Sequence, residues 1–262
     1  ILFTWAGERY SAGDYARAEQ FYRQYLAVPA RDRAREALLG RVDSLFRLNR
    51  FKEIIALAGD ETRPKLDEKD SIQFSLYLGR AYFNEKNLEL SYKTLSALSP
   101  GDLGDADRLM LARSALKAGD IWTAQAIPAL LTRGSDRYAE SLYILGEYYI
   151  AEGKMDVAFD YFAKVIDECP DSPLTDDARI EMAEIHGNGR KYTEALALLD
   201  DIKSEKHADR KMILRIVALF RTGIKSMLPA NVRMISGPGC PVCVTSQGYI
   251  DAACELAGRE PV

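Results

Sequence analysis

The sequence predicts an all-α fold: helical hairpins repeated into a superhelix, with a short α/β strand-loop-helix fragment at the C-terminal end. Three observations predict it. The phrase Ala12-Gly13-Asp14-Tyr15-Ala16-Arg17-Ala18 returns as Ala118-Gly119-Asp120-Ile121-Trp122-Thr123-Ala124, as Glu152-Gly153-Lys154-Met155-Asp156-Val157-Ala158 and, more loosely, as Arg190-Lys191-Tyr192-Thr193-Glu194-Ala195. The small or apolar residues that close the six phrases, Ala18, Ile54, Ser91, Ala124, Ala158 and Ala195, are spaced 36, 37, 33, 34 and 37 apart, a period that marks a repeat array. The composition then changes near Ile216. After it the charges are Arg221, Lys225, Arg233, Asp251, Glu255, Arg259 and Glu260 alone, while three of the four cysteines, Cys240, Cys243 and Cys254, crowd the same stretch. Two modules follow: a repeat array over residues 1–215 and a fragment over residues 216–262.

Each of the six repeats reads as two helices. An apolar periodic segment such as Leu142-Tyr143-Ile144-Leu145-Gly146-Glu147-Tyr148-Tyr149 precedes the turn, and a second, Ala158-Phe159-Asp160-Tyr161-Phe162-Ala163-Lys164-Val165, follows it. Pro100 and Pro170 close their repeats, because proline cannot continue a helix. Gly79, Gly146, Ala158 and Ala195 let paired helices approach, and Tyr22, Tyr82, Tyr149 and Phe162 fill the remaining volume. Trp5 and Trp122 are expected as packing residues, and His186 as a surface residue at the end of a first helix. A seventh first helix is expected from Asp209 to Phe220, with Met212, Ile216, Leu219 and Phe220 as its apolar stripe.

Composition narrows the function. Net charge is −4 and the pI about 5.4, so the basic footprint of a nucleic-acid-binding chain is missing. No run of residues reaches the ~18 apolar positions of a membrane span, and no signal-peptide pattern is present. The chain starts at Ile1, as a fragment or processed form would. A cytoplasmic location is expected, or a periplasmic one if a signal peptide was removed. No P-loop, HExxH, nucleophile elbow or EF-hand loop occurs, so a binding protein is expected rather than an enzyme, with no cofactor in the array.

The array resembles the tetratricopeptide repeat family, on Leu78-Gly79-Arg80-Ala81-Tyr82, Leu145-Gly146-Glu147-Tyr148-Tyr149, Ala158, Phe162 and Pro170. The resemblance covers roughly residues 1–202, the second unit matching less well than the rest. It implies a protein-protein interaction scaffold that binds peptides or partner proteins on a concave face lined by first helices. Carried onto this sequence, that face holds Asp43, Phe46, Arg47, Arg80, Phe83, Asn84, Arg113, Leu116 and Lys117, then Glu140, Tyr143, Glu147, Asp177 and Glu184. It is basic in the middle and acidic toward the end, so an acidic partner segment is expected, with Phe46 and Phe83 giving apolar contact. The alternative reading is that these charges only solvate the inner wall.

After Gly223 the pattern changes. Val232-Arg233-Met234-Ile235-Ser236 reads as a strand, Gly237-Pro238-Gly239-Cys240-Pro241-Val242-Cys243 as a tight loop, and the stretch after Thr245 and Ser246 as a helix ending at Gly258. The Cys240-x-x-Cys243 pair is compatible with a redox couple, a soft-metal half-site or plain thiols. Zinc would need a second pair, which is absent.

This tail resembles the HypD family of hydrogenase maturation proteins, over Phe220-Arg221-Thr222-Gly223-Ile224-Lys225-Ser226-Met227-Leu228-Pro229, the Gly237–Cys243 loop with Val244-Thr245, and Tyr249-Ile250-Asp251. The resemblance implies a part in assembling the iron centre, with its cyanide and carbon monoxide ligands, of nickel–iron hydrogenases, with iron or redox roles for Cys240 and Cys243. The family's Cys-Gly-x-His motif has no counterpart in residues 211–216, and its later domains are not represented. A redox-labile pair with weak iron binding is therefore expected.

Overall fold

A computed structural model describes residues 1–28 and 32–221, the side chain of Phe220 excepted. The described residues hold thirteen α-helices and no strand. Twelve pair as hairpins: α1 (Leu2–Ser11) with α2 (Tyr15–Ala27), α3 (Ala34–Arg47) with α4 (Phe51–Ala58), α5 (Glu68–Asn84) with α6 (Leu88–Leu95), α7 (Asp105–Ala118) with α8 (Ile121–Ala126), α9 (Asp136–Ala151) with α10 (Met155–Glu168), and α11 (Thr175–Asn188) with α12 (Tyr192–Asp200). A single helix, α13 (Ala208–Arg221), follows. The expected helical repeat is present. The expected strand, Cys loop and last helix, with Cys240, Cys243 and Cys254, lie outside the described residues.

The turn inside every hairpin uses the same backbone device. Gly13, Asn49, Lys86, Gly119, Gly153 and Arg190 all have positive φ, between 57° and 83°. Their spacing, 36, 37, 33, 34 and 37, is the spacing read from the sequence. A left-handed residue ends the first helix, and the next residue caps the second. Asp14, Asn87 and Asp120 do so by accepting the amides of Arg17, Leu90 and Thr123 at 3.2 Å. Gly fits this conformation; Lys86 and Arg190 adopt it against their side-chain preference.

Seven residues before each left-handed residue stands a small or compact one: Ala6, Val42, Gly79, Ala112, Gly146 and Ala183. Twelve residues further on is its partner, Ala18, Ile54, Ser91, Ala124, Ala158 and Ala195. All twelve are buried. At Gly79 and Gly146 the second helix comes closest: a Cβ would lie 2.5 Å from Leu95 Cδ2 and 2.6 Å from Phe162 Cε1. The Ser91 hydroxyl donates to the Gly79 carbonyl at 3.0 Å across this crossing. The cores are local. Ala6, Ala18, Tyr22 and Ala37 form one, Leu38, Val42, Leu45, Ile54 and Phe74 another, and Leu95, Leu109, Ala112, Ala124, Ile144 and Leu145 a third. Within residues 1–175 each hairpin thus buries its apolar face against its neighbours, as a repeat array requires.

The described residues divide into two compact bodies, Ile1–Thr175 and a second that begins at Asp176. Within the second, α13 packs on α12 and reaches α11 through polar contacts. Arg210 binds Glu181 at 3.0 Å and Glu184 at 2.7 Å, and in the turn just before α13 His207 Nε2 lies 2.9 Å from Asp177. It thereby stands where the first helix of a seventh hairpin would stand. Its stripe differs from the expected one: Ile216 and Val217 are exposed and Ala218 is buried. Ala218 falls 35 residues after Ala183, on the close-contact position of the repeat. Trp122 also departs from expectation. It is 80% exposed on α8, because it sits in the first turn on the side turned away from the core, and Trp5 is half-exposed while touching Phe21.

Candidate partner-binding face

In the first body the first helices are neighbours of one another: α1 packs on α3, α3 on α5, α5 on α7 and α7 on α9. Their shared face is laced by side chains that cross from each helix to the next. The Asp43 carboxylate on α3 accepts hydrogen bonds from Tyr10 on α1 and from Tyr77 on α5, the latter at 2.8 Å. The bond to Asp43 raises the Tyr10 pKa, and burial together with the same carboxylate raises that of Tyr77. Arg80 on α5 grips Asp107 on α7 with two bonds, 2.6 and 2.8 Å, and Asp107 is almost wholly buried at 2% exposure. This bidentate pairing raises the Arg80 pKa further and fixes the guanidinium in a plane. Arg113 on α7 lies 3.7 Å from Glu140 on α9, a looser contact than the 2.9 Å bond Glu140 accepts from Arg137.

The structure therefore sorts the residues chosen from the sequence. Asp43 and Arg80 tie helix to helix, and Phe46 packs edge-on against Phe51 and Tyr77, so these three serve the array itself. Asn84 is exposed and donates to the Arg80 carbonyl at 2.8 Å. Arg47, 3.6 Å from Asp43, and Arg113 keep exposed guanidinium groups. Lys117 is exposed, makes no ion pair among the described residues, and borders a shallow cleft with the turn at Glu85, Lys86 and Asn87. Phe83 is half-buried. Tyr143 is half-buried and packs edge-on to Phe162, and Glu147 is exposed on the same helix.

Arg113, Glu140, Tyr143 and Glu147 come together with Asp136 and the loop Ser172-Pro173-Leu174 around a cleft of about 360 Å³. Sequence reasoning missed the role of Tyr10, Tyr77, Asp107 and the Ser172–Leu174 loop. The signal for Tyr77 was present: it lies one helical turn before Arg80 and so shares its face. Asp107 carried none, because its partner lies 27 residues away. In the second body, Asp177 and Glu184 are held by His207, Lys206 and Arg210. His186 sits in the last turn of α11, where burial lowers its pKa. Among the described residues no cluster of His, Cys, Asp or Glu could hold a metal ion, and no helix is long and apolar enough to cross a membrane.

Two family models match the chain. The tetratricopeptide repeat matches residues 109–173, which run from α7 into the loop after α10. HypD, described as the hydrogenase formation hypA family, matches residues 197–262, from within α12 onward. The hydrogenase maturation factor HypD of Azotobacter vinelandii is 62% identical over 45 residues, 17% of this chain and 12% of that protein. The factor of the same name from Rhizobium leguminosarum bv. viciae is 37% identical over 99 residues, 38% of this chain and 22% of that protein, and the one from Escherichia coli is 49% identical over 45 residues. The chain thus spans between 12% and 22% of the length of these relatives.

Proposed function

We propose that this chain is a protein-interaction scaffold that holds a segment of a partner protein on the face of its first helices. The observation that carries this reading is the tetratricopeptide match over α7 to α10, the same helices whose face combines exposed charge with a cleft. In this reading Arg47, Arg113 and Lys117 meet an acidic stretch of the partner, and Phe83 offers apolar contact. Arg80 stays with Asp107 and supports the face without touching the partner. The contacts are exposed, so they are screened over about 8 Å at physiological ionic strength. A short fluorescein-labelled peptide rich in Glu and Leu tests this by anisotropy against its charge-reversed twin. Tighter binding of the acidic peptide, weakening as salt rises and lost in Arg47→Glu/Lys117→Glu, supports the reading. Equal affinity for the two peptides rejects it.

A second reading is favoured by the HypD match at 197–262 and the 62% identity to the Azotobacter vinelandii factor. In it the tail takes part in hydrogenase maturation, with Cys240 and Cys243 as a redox pair or iron-handling thiols. This reading favours the cytoplasm, where thiols stay reduced. Two thiolates leave the coordination of iron incomplete, and the family's upstream Cys-Gly-x-His motif is not in this sequence, so the donor set does not fit a resident iron site. Rescue of a strain lacking its maturation factor by this chain would make the tail the functional centre; absence of rescue leaves the array as the module that acts.

A further inference from the structure

We propose that α13 is the docking site for the chain's own residues 227–236, which pack on it as the second helix of a seventh hairpin. Docking there is independent of what the first body binds. Two observations mark the site. A cleft of about 410 Å³ lies among α11, α12 and α13, with Ala183, Ala195, Leu199, Leu214 and Val217 in its lining. Val217 is 42% exposed there, whereas Leu111, Leu145 and Met182, each of which likewise precedes a close-contact residue of the repeat, are buried. Arg221, where the described chain leaves α13, borders the same cleft, so the residues that follow start at its rim.

Register identifies the occupant. Residues 222–236 lie outside the described residues, but their sequence meets the demands of the repeat one by one. The left-handed residue stands seven after the close-contact residue in all six hairpins; counted from Ala218 it is Lys225, a residue type that holds this turn at Lys86. The cap position, filled by Asp14, Asn87 and Asp120, falls on Ser226, a favoured capping residue. Second helices begin two residues after the left-handed one, at Tyr15, Leu88 and Met155 for example, and the counterpart is Met227. Pro229 then lies in the first turn, where its missing amide has no partner within a helix. Twelve and sixteen residues after Ala218 come Ala230 and Met234. The first matches the buried partner found in every hairpin, and the second matches Tyr22, Leu95, Phe162 and Leu199, all buried. Leu95 and Phe162 are the side chains that meet Gly79 and Gly146 at the close crossings. Gly237-Pro238 then ends the helix. The first part of the HypD-matched stretch thus serves the repeat array.

The helix and the strand expected at Val232–Ser236 differ in one checkable respect. In a strand Ala230, Val232 and Met234 share a face. In the repeat the position fourteen after the close-contact residue is exposed in all six hairpins, at Gln20, Ala56, Lys93, Ala126, Asp160 and Ala197, and that position is Val232. The test uses the full chain, isotopically labelled. Helical Cα shifts over residues 227–235 are expected, with nuclear Overhauser contacts from the Ala218 methyl to those of Ala230 and Met234. Ala230→Lys, which forces a long charged side chain into the crossing, should speed amide exchange in α13 about tenfold, and Val232→Lys should leave it unchanged. Extended-strand shifts over residues 227–235, absence of both methyl contacts, or equal effects of the two substitutions overturns the proposal. A mixture of labelled and unlabelled chains checks for a second copy as the occupant: methyl contacts found only between chains overturn it as well.

Discussion

Replacing Lys86 by glycine should stabilise this protein, although it deletes a side chain and adds backbone freedom. Lys86 sits at φ 63° and Arg190 at φ 62°, in the turn where three of the other repeats have glycine. An L-residue pays roughly 1–2 kcal/mol to hold the left-handed conformation. Glycine avoids that strain but loses more entropy on folding, by about 0.4–1 kcal/mol. The difference leaves a net gain of about 0.5–1 kcal/mol for Lys86→Gly and for Arg190→Gly. Asn49, at φ 57°, tolerates the conformation better, so Asn49→Gly should gain less. The reverse changes at Gly119 and Gly153, at φ 83° and 72°, should cost about 1 kcal/mol each as Gly→Ala, with no steric contribution because nothing lies within 4 Å of the added Cβ. Urea unfolding followed by circular dichroism at 222 nm reads these as shifts of the midpoint at constant slope. A loss of stability in Lys86→Gly together with a neutral Gly119→Ala would refute the claim that the six turns are one repeated device.

Three further outcomes follow from the packing. Gly79→Ala and Gly146→Ala should each cost about 1–3 kcal/mol, since the new methyl falls inside contact distance of Leu95 and Phe162, whereas Gly101→Ala, with open space around it, should not; the same urea series checks this. Arg80→Ala should cost on the order of 3 kcal/mol by stranding the buried Asp107 carboxylate, and Arg80→Lys should recover only part of it because lysine cannot form the two parallel bonds. Burial and the bond to Glu168 push the Tyr138 pKa up to about 12, and Tyr77 is raised above its usual 10 by burial and Asp43. A raised folded pKa gives stability that is present below the unfolded value and fades as pH climbs through the folded one. Stability should therefore decline from about pH 10 upward, with a shallower decline in Tyr77→Phe and Tyr138→Phe, read by thermal melts across an alkaline series.

The sequence disclosed the architecture because the repeat rests on a few stereochemically narrow positions. A left-handed turn and a close helix crossing admit few residue types, so their spacing survives as a visible period even where Asn49, Lys86 and Arg190 replace glycine. The face was legible only in outline. Arg47, Arg80 and Arg113 look alike along the chain, yet Arg80 finds Asp107 one repeat ahead and becomes a structural clamp, while Arg47 and Arg113 remain at 3.6 and 3.7 Å from their carboxylates. Pairing across repeats is decided by geometry that no local pattern encodes. Trp122 shows the same limit: aromatic character suggested packing, but its place in the first turn of a short helix leaves it in solvent. The HypD-like tail was legible as a motif because a glycine loop with two cysteines is chemically unusual, and α13 shows where the two patterns meet. Arg210 in its first turn, and His207 just before it, pair with α11 as a first helix does, while the whole of α13 lies in the stretch the HypD model matches.

The scaffold reading is tested most directly by locating a bound segment on the array. A spin-labelled version of the acidic peptide, added to the isotopically labelled chain, should broaden the amide signals of α3, α5, α7 and α9 around Arg47, Phe83, Arg113 and Tyr143. It should leave α4, α6 and α8 sharp, and reduction of the label should restore the lost signals. Broadening centred on the second helices, on Trp122 for instance, would contradict the account and move the binding surface to the opposite side of the hairpins.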